Sequence, residues 1–493
     1  MKDVTRKKPA FKDNLIEVEI TSLAAGGKGV GRNDGKVVFV EKGIPGQRVR
    51  VQLYKDRKDY SEGRVIELLE NSSFYEEPRC PHFAYCGGCS LQNMKYEEQV
   101  KQKKKLVIEA LCRIGGVDNA PVQDTIPSPD QYYYRNKMEF SFSNKVWDAA
   151  NSKIQNNAFG LGLHLPGRYD TVINIKECFL QSEVSSKILL LIRDITEESG
   201  LPVYDLQKHR GFWRYLVIRE GKKTKECLIN LITNKCDDSE KSIVEEIVKY
   251  TIKKFPGINS FFHAEHPGKS QAATWDSIRL LHGGDYINEL IGDHHFRINC
   301  ETFFQTNSAQ VENLYDQIEN AGNFSGTEIV YDLYSGVGTI PVHIASMVKK
   351  VVGFEINSDS VAGARTNAKF NNITNCCFIQ GKVRALLKQT NDLIRKYGKP
   401  DVVITDPPRS GMDPKTIERV IKLSPGKIIY VSCNPATLAR DIKLFANEFH
   451  LENVVPVDMF PHTAHIESVT TLIRKAQGNI KDNTGSFAAK SDE

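Results

Sequence analysis

The sequence lacks several features that would assign it to a special class of protein. It has no run of about 18 consecutive apolar residues, which is the length that a membrane-spanning helix needs. It has no secretory signal, and its 11 cysteines are an odd number, so a disulfide framework explains them poorly. There is no internal repeat, and the net charge is only +5 over 493 residues. We therefore expect a cytoplasmic protein without a membrane segment, long enough for three domains.

The small positive excess is concentrated in short stretches. Residues 1–12 hold five basic side chains, and four lysines fall within Lys101–Lys105. Basic clusters can bind the phosphates of nucleic acids, although a run of charge is more often a solvated surface. The composition is compatible with an RNA partner but does not establish one.

Three polar side chains near the carboxyl end of the chain follow or precede predicted strands. Asp406 begins a turn with two prolines, and Glu467 ends the segment 460–467. Cys433 lies between the apolar run 428–431 and a predicted helix start. Ligands of open α/β sheets bind at the carboxyl edge of the strands, so we expect these groups to meet there. An acid, a thiol and a carboxylate suit covalent addition to an unsaturated ring followed by proton removal.

Cys433 is the group that most needs an argument, because a buried cysteine is usually only a small apolar residue. Its place in a turn between a strand and a helix favours a nucleophile instead. A thiol beside a helix amino terminus is expected to have a lowered pKa and more thiolate.

A nucleoside-binding turn is predicted about 100 residues before Cys433. A strand over 328–333 leads into a glycine-rich turn that contains Gly336 and Gly338. Glycine at these positions lets the backbone approach a ligand. The next strand ends in Glu355, where a carboxylate can accept both hydroxyls of a ribose, although a solvated strand end is the simpler interpretation.

Four cysteines have a spacing typical of a metal centre. Cys80, Cys86 and Cys89 are close in sequence, glycines at 87 and 88 allow a tight turn, and Cys178 is a distant fourth ligand. Four thiolates suit either an iron–sulfur cluster or zinc, and the spacing alone leaves both open. The remaining cysteines lack such spacing and are interpreted as structural: Cys112, Cys227, Cys236, Cys300, Cys376 and Cys377.

Residues 14–71 predict a small β-barrel of the OB kind. The segments 16–20, 36–40 and 47–53 alternate apolar and polar residues, and glycine turns separate them. Six basic side chains of this region predict a surface for phosphates: Lys28, Arg32, Lys36, Lys42, Arg48 and Arg50.

A central region, 72–296, separates the barrel from the predicted catalytic domain, 297–477. Its segment 132–142 combines aromatic rings with cations, as single-stranded RNA readers do, although a tyrosine-rich strand edge is an equal alternative. A helix over 96–114 is expected to pack on the catalytic domain. The tail 478–493 lacks apolar periodicity and is predicted to be disordered.

Taken together, the motifs resemble the S-adenosylmethionine-dependent RNA uracil-5-methyltransferases. The resemblance covers most of the chain and rests on two specific signatures, Asp-Pro-Pro-Arg-x-Gly with Tyr-x-Ser-Cys-Asn, and the run 458–467. It implies a class I, Rossmann-like α/β methyltransferase domain, a TRAM domain as the barrel and a central α+β iron–sulfur domain.

The resemblance also implies roles for individual residues. Cys433 would attack C6 of uracil, and C5 would then take the methyl group. Glu467 would remove the C5 proton before the cysteine leaves. The family positions that contact the cofactor or the flipped uracil match Gln305, Tyr334, Glu355 and Asp406.

The resemblance further implies a [4Fe-4S] cluster on the four cysteines and RNA as the partner, with no obligate protein partner. It favours 23S ribosomal RNA as the substrate, with the T-loop of transfer RNA as the alternative. One departure concerns Lys382, which stands where many methyltransferases have an acidic residue for the adenine amine.

Two other functions fit the sequence less well. An amino-group methyltransferase would have an aromatic residue at the position of Arg409 and would leave Cys433 and Glu467 unexplained. A non-catalytic RNA-binding or assembly protein would leave the same thiol and carboxylate without a purpose.

Overall fold

The computed structural model describes residues 15–476, so the tail predicted over 478–493 lies outside the described residues. Within this range no helix has the length and apolar composition of a membrane span. The chain forms three large β-structures in succession: a closed barrel, a seven-stranded sheet and a second seven-stranded sheet.

The first strands close into a barrel in the order β1-β2-β3-β5-β4. Their alternating pattern turns valine and isoleucine side chains inward, where they form a small buried core. Gly31 is needed where two strands cross closely, since a Cβ there would lie 2.3 Å from the Glu19 carbonyl oxygen. The five strands are β1 Leu15–Leu23, β2 Gly29–Asn33, β3 Lys36–Glu41, β4 Arg48–Asp56 and β5 Tyr60–Glu70.

The central region begins with a long helix and continues as a mixed sheet. The sheet has the order β12-β11-β10-β9-β6-β7-β8, and β10 and β11 are parallel because α3 connects them. A hairpin, β13 and β14, follows the sheet. The elements are α1 Tyr96–Ala110, with a π-helical turn over Leu111–Gly115, β6 Lys137–Asp148, β7 Lys153–His164, β8 Val172–Ile173, α2 Glu183–Glu198, β9 Trp213–Glu220, β10 Cys227–Thr233, α3 Asp238–Lys254, β11 Ile258–Glu265, β12 Ser277–Gly283, β13 Ile287–Ile291 and β14 His294–Ile298.

The last part of the chain is a doubly wound α/β unit with the strand order β17-β16-β15-β18-β19-β21-β20. The first five of these strands are parallel, and β21 inserts antiparallel between β19 and β20. The order reverses beside β15, which creates a crevice at the carboxyl ends of β15 and β18. The elements are α4 Ser308–Gly322, β15 Ile329–Leu333, α5 Thr339–Ile344, β16 Lys350–Glu355, α6 Ser358–Phe370, β17 Cys376–Gln380, α7 Val383–Leu386, α8 Thr390–Tyr397, β18 Val402–Thr405, α9 Pro414–Leu423, β19 Lys427–Ser432, α10 Pro435–Phe445, β20 Phe449–Val457 and β21 Glu467–Arg474.

Helix α1 packs on this last sheet although it comes early in the chain, as its sequence pattern predicted. Val107 and Leu111 are fully buried in the core of the α/β unit. Lys103 is also fully buried, and its Nζ lies 2.6 Å from Oδ1 of Asp458. The prediction that Lys101–Lys105 forms an exposed basic cluster is therefore wrong for Lys103, which is paired inside the protein.

Candidate active site

The predicted catalytic groups meet at one edge of the last sheet. Asp406 follows β18, Cys433 follows β19, and both strands are parallel. Glu467 begins β21, whose register pairs Ser432 with Ser468. Because β21 is antiparallel, its first residue lies at the edge where its parallel neighbour ends. The strand order thus brings together three groups that the sequence separates.

Two carboxyl groups of this edge keep their protons unusually strongly. Burial raises the pKa of Asp406 to about 7. Burial also raises the pKa of Glu467 well above its usual value, and the nearby Asp406 adds to the effect while Arg409 opposes it. Oε2 of Glu467 is buried and has no hydrogen-bond partner among residues 15–476. This oxygen is available to a ligand or to a proton from one.

The Cys433 thiol does not have the lowered pKa that its sequence context predicted. Burial raises its pKa to about 11, and the carboxyl groups of Glu467 and Asp406 add to the rise, whereas Arg409 lowers it. The first turn of α10 is also occupied, because the Asn434 side chain accepts the Ala436 N–H at 3.1 Å. The free protein therefore holds a protonated thiol.

Gln305 reaches the same site from the loop before α4. Its Nε2 lies 3.4 Å from Oδ2 of Asp406, and its carbonyl oxygen accepts the Asn136 amide at 2.8 Å. The Asn136 amide also donates to Ser308 at the start of α4. The central region thus holds the loop that presents Gln305 to Asp406.

The predicted nucleoside-binding turn lies between β15 and α5. Gly336 and Gly338 both have left-handed backbone conformations, with φ of 52° and 78°, which glycine adopts without strain. Tyr334 also has a positive φ, 68°, which is uncommon for an aromatic residue and occurs at functional sites. A Cβ added at Gly336 would contact nothing within 4 Å, so this position faces open space.

The Glu355 side chain is hydrogen-bonded to the backbone of this turn in the free protein. One carboxylate oxygen accepts the Gly336 N–H at 3.0 Å, and the other accepts the Asn357 N–H at 2.8 Å. The carboxylate keeps further lone pairs for a ligand hydroxyl. Its predicted ribose contact stays a prediction.

Asp332 is a residue of this site that the sequence reasoning did not single out. It lies inside β15, is fully buried, and has no hydrogen-bond partner for either carboxylate oxygen in the described part of the chain. Burial raises its pKa well above the usual value, and Asp406 and Glu355 add to the rise. An unpaired buried carboxyl group is costly, and a hydrogen-bond donor or a cation on a ligand would satisfy it. The available signal was an acidic residue within an otherwise apolar strand, directly before the glycine turn.

A cleft of about 740 Å³ leads from Cys433 to the protein surface. One wall comes from the barrel, with Arg32 and Phe39, and another from the end of α1. Arg409 and His465 also line this cleft, together with Cys433. The cleft is large enough for a nucleotide to reach Cys433 from solvent.

The basic surface predicted on the barrel is mostly neutralised. Four of its cations form ion pairs with acidic residues of the barrel: Lys28, Lys36, Arg48 and Arg50. Lys42 donates to the carbonyl oxygen of Cys86 at 3.3 Å. Of the predicted six, Arg32 is exposed on the cleft wall and has no acidic partner within the described residues.

Two tyrosines of segment 132–142 contact the loop 458–466, which joins β20 to β21. Tyr134 is buried, and its hydroxyl donates to the Pro461 carbonyl oxygen at 3.1 Å, so for this residue the structure favours the packed alternative over stacking on RNA. Tyr132 lies 4.3 Å from the His462 ring, centroid to centroid. Arg79 covers Tyr132 and Tyr133 at 5.0 and 5.2 Å.

The four spaced cysteines line one cavity of about 340 Å³. No three of their sulfur atoms lie within 4.8 Å of one another, as judged over residues 15–476. Tetrahedral zinc with Zn–S bonds of about 2.3 Å requires sulfurs about 3.8 Å apart. Cys86 sulfur accepts the Gly88 N–H, and Cys89 sulfur accepts the Gln92 amide. The thiols surround a space wider than a single zinc ion needs.

Burial keeps these four thiols protonated in the metal-free protein. It raises the pKa of Cys89 to about 12 and that of Cys178 to about 11. A metal centre supplies the positive charge that makes such thiols ionise. Among the cysteines interpreted as structural, Cys112 is exposed, and Cys227, Cys236 and Cys300 are buried.

Comparison with known proteins agrees with this architecture. Residues 276–475 match the profile of the tRNA (Uracil-5-)-methyltransferase family, and residues 14–66 match the TRAM domain. An uncharacterized RNA methyltransferase of Nitratidesulfovibrio vulgaris is 37% identical over 460 residues, which cover 93% of this chain and 96% of that protein. Another, from Porphyromonas gingivalis, is 37% identical over 471 residues, 93% of this chain and 100% of the relative.

A solved structure has the same overall organisation. The tRNA (uracil-54, C5)-methyltransferase of Pyrococcus abyssi, in complex with S-adenosyl-L-homocysteine, superposes with a TM-score of 0.71 and 27% sequence identity. The alignment covers 93% of this chain and 99% of that protein. The predicted α/β methyltransferase fold and the TRAM barrel are thereby confirmed.

Proposed function

Because this chain belongs to the RNA uracil-5-methyltransferase family and uses S-adenosylmethionine to methylate RNA, we propose that it does so through a covalent bond from Cys433 to uracil C6. The observation that carries the proposal is the meeting of Cys433, Asp406 and Glu467 at one sheet edge. Uracil C5 is a poor nucleophile until a thiolate has added at C6. A thiol beside two carboxyl groups supplies both the nucleophile and the base that such a reaction needs.

The first step forms the bond from the Cys433 sulfur to C6. The thiol loses its proton in this step, and we propose Asp406 as the acceptor, since Asp406 and Cys433 directly follow the neighbouring parallel strands β18 and β19. The electron pair of the C5–C6 double bond moves toward O4 and makes C5 nucleophilic. C5 takes the electrophilic methyl group that S-adenosylmethionine supplies, and S-adenosylhomocysteine leaves with the electron pair of the broken carbon–sulfur bond.

Glu467 completes the reaction in this proposal. Glu467 must first release its own proton to solvent. Its ionised carboxylate then removes the C5 proton, the double bond forms again, and the Cys433 sulfur leaves C6 with its electron pair. The raised pKa of Glu467 makes it a stronger base than an exposed glutamate.

The cofactor is proposed to bind at the turn between β15 and α5. Support comes from the open space at Gly336 and from the unpaired carboxyl group of Asp332, which fits a ligand carrying positive charge. Glu355 and Tyr334 border the same turn. Lys382 directly precedes the short helix α7 and makes no side-chain capping hydrogen bond in the described part of the chain.

The test of the proposed reaction uses RNA that contains 5-fluorouridine. Fluorine at C5 cannot leave as a proton does, so the wild-type protein should accumulate a covalent protein–RNA adduct that survives denaturing electrophoresis. Cys433→Ala should form none, while still binding S-adenosylmethionine with nearly unchanged affinity. Cys112→Ser, at an exposed cysteine, is the matched control and should form the adduct normally. Equal adduct in wild type and Cys433→Ala would refute the assignment.

We further propose a [4Fe-4S] cluster on Cys80, Cys86, Cys89 and Cys178. The cavity, in which no three sulfurs of the described residues come as close together as tetrahedral zinc requires, supports a cluster over zinc. Methyl transfer moves no net electrons, so the expected role is structural and in positioning RNA. Anaerobically purified protein should be brown with about four iron atoms per chain. Stoichiometric zinc without iron would refute the cluster.

The proposed substrate is 23S ribosomal RNA, by the resemblance of the barrel and cysteine arrangement to that branch of the family. Transfer RNA is the second candidate, because the structurally similar Pyrococcus enzyme is a tRNA methyltransferase. Mapping 5-methyluridine in ribosomal and transfer RNA from cells with and without the gene separates the two. Loss of the modification from transfer RNA alone would refute the ribosomal assignment.

A further inference from the structure

The loop between β20 and β21 carries Glu467 at its end and is held from outside the catalytic domain. The carbonyl oxygen of His462 accepts two backbone N–H groups, from Ser90 at 2.9 Å and from Leu91 at 3.0 Å. Ser90 directly follows Cys89, one of the four spaced cysteines. The residue next to Cys89 in the chain is therefore hydrogen-bonded to the loop that leads into Glu467.

Gln99 of α1 joins the same two segments a second time. Its Oε1 accepts the His462 N–H at 3.0 Å, and its Nε2 donates to the Leu91 carbonyl at 3.0 Å and the Met94 carbonyl at 2.7 Å. His462 is buried and has a φ of 64°, which a bulky residue adopts only when its surroundings hold it there. The loop conformation thus depends on contacts made by other segments.

The other cysteine segments also reach this loop through aromatic contacts. Arg79, which precedes Cys80, lies 4.5 Å from the ring of Phe179, which follows Cys178. Both pack on Tyr132, whose ring lies against His462.

The segment that carries three of the cysteines has little regular structure of its own. Between the end of β5 at Glu70 and the start of α1 at Tyr96 the chain forms only turns and an isolated bridge. Side-chain contacts hold it instead, including the Gln92 amide, which joins the Cys80 N–H to the Cys89 sulfur. Whatever the cysteines bind therefore has a large share in ordering this segment.

We propose that the segment Cys89–Leu91 is a positioning element for the catalytic base, so that metal occupancy of the cysteine cavity sets the geometry of Glu467. The inference rests on the proposed cysteine centre and on Glu467 as the base. It adds that the centre acts on the proton-removal step, beyond its expected roles in stability and RNA binding.

Hydrogen–deuterium exchange followed by mass spectrometry tests the proposal without requiring methyl transfer. Protein purified anaerobically is compared with the same protein stripped of metal by a chelator. Amides of residues 458–466 should exchange about tenfold faster or more after stripping, because the loop loses the two N–H donors that hold the His462 carbonyl oxygen and therefore opens more often. Residues 335–345, at the glycine turn, should exchange at an unchanged rate.

A variant separates this link from general unfolding of the metal-free protein. Ser90→Pro removes one N–H donor and keeps all four cysteines. It should retain its iron, show faster exchange over 458–466, and accumulate an adduct that already carries the methyl group. Ser73→Pro, at an exposed position whose amide makes no hydrogen bond in the described range, is the matched control.

Two results would overturn the proposal. One is unchanged exchange over 458–466 in stripped protein whose residues 80–93 have become mobile. The other is an iron-loaded Ser90→Pro protein with wild-type exchange and no methylated adduct. This second result decides the question in the case that stripping unfolds the whole chain. Absence of the fluorouridine adduct in wild type would instead refute the proposed reaction. Wild-type protein that contains no metal after anaerobic purification would refute the cysteine centre.

Discussion

Glu467 combines burial, a raised pKa and a carboxylate oxygen without a partner in the described structure. In a structural role such a group would be costly, because a buried carboxyl group normally has its hydrogen bonds satisfied. In the proposed reaction these properties are useful, since the free oxygen receives the C5 proton.

Changing Glu467 to glutamine should allow one methyl transfer and then stop the reaction. The amide cannot accept the proton, so the protein should remain bound to RNA through Cys433 with the methyl group already on C5. Mass spectrometry of the adduct, with labelled S-adenosylmethionine, checks this order of steps. Wild-type turnover would show that another group, such as His465 or water, removes the proton.

Replacing Asp332 by asparagine should stabilise the free protein at high pH but weaken its binding of the cofactor. Its raised pKa means that the folded free protein binds this proton more tightly than the unfolded chain. The corresponding stability is full below the ordinary pKa and is lost as the pH rises toward the raised value. Asp332→Asn should therefore unfold at a higher temperature than wild type at pH 8 without cofactor, with the difference disappearing near pH 4.

The same variant should bind S-adenosylmethionine about tenfold more weakly or worse, because a charge-assisted hydrogen bond of about 1.5 kcal/mol or more is lost. Calorimetric titration measures the affinity, and Asp392→Asn, on the exposed face of α8, is the control. Unchanged affinity in Asp332→Asn would remove this residue from the cofactor site.

The position of Cys433 could be predicted from its neighbours, but its pKa could not. The apolar run before it and Asn434-Pro435 after it place the thiol at a strand end whatever the rest of the chain does. Its pKa depends on Asp406 and Glu467, which approach it only through the strand order of the folded sheet. Asp332 was missed for a related reason, since only the structure shows that its carboxyl group has no partner.

Helix α1 is the element that ties the central region to the catalytic sheet. Its Lys103 binds Asp458 and also donates to the Phe460 carbonyl at 3.0 Å, while Tyr96 donates to the second Asp458 oxygen at 3.0 Å. The helix thus fixes the start of the loop 458–466 between β20 and β21, and Gln99 fixes its middle.

Replacing Lys103 by methionine should destabilise the protein by about 3 kcal/mol or more, because it leaves the Asp458 carboxylate buried without its cation. The neighbouring Lys104→Met is the matched control, since its pair with the fully exposed Asp124 contributes little to stability. Thermal unfolding compares the two variants. Equal midpoints would show that the buried pair has no such role.

Element types and order were predictable where apolar periodicity was strong, as in the parallel strands and in α1. The burial of Lys103 was not, because a lysine within a basic run of a helix has the sequence pattern of a solvated face. Its partner Asp458 lies 355 residues further along the chain, and only the packing of α1 on the sheet brings them together.

On the scale of the whole molecule, the barrel, the central region and the catalytic domain meet around one loop. A Cβ on Gly27 of the barrel would lie 2.7 Å from the Ser90 hydroxyl and 3.1 Å from the Ala464 side chain. The cleft that leads to Cys433 opens beside this meeting point. RNA that reaches the thiol therefore passes the barrel wall.

Arg32 should contribute to RNA binding more than the other barrel cations do. Arg32→Ala should weaken binding of substrate RNA several-fold and reduce the salt dependence by about one counterion, because an unpaired cation on the cleft wall is lost. Lys36→Ala is the control, since Lys36 is already paired with Asp56. Filter binding at several salt concentrations measures both, and equal losses would contradict the assignment.

The pairing of Lys103 with Asp458 also has a consequence for how the protein is made. The ribosome must add 355 residues after Lys103 before its partner exists, which takes on the order of tens of seconds at typical synthesis rates. During that time the apolar face of α1 has no sheet to cover it, because β20 and β21 are the last strands to emerge. The nascent chain therefore needs protection from aggregation until its final strands arrive, and a truncated chain would never leave that state.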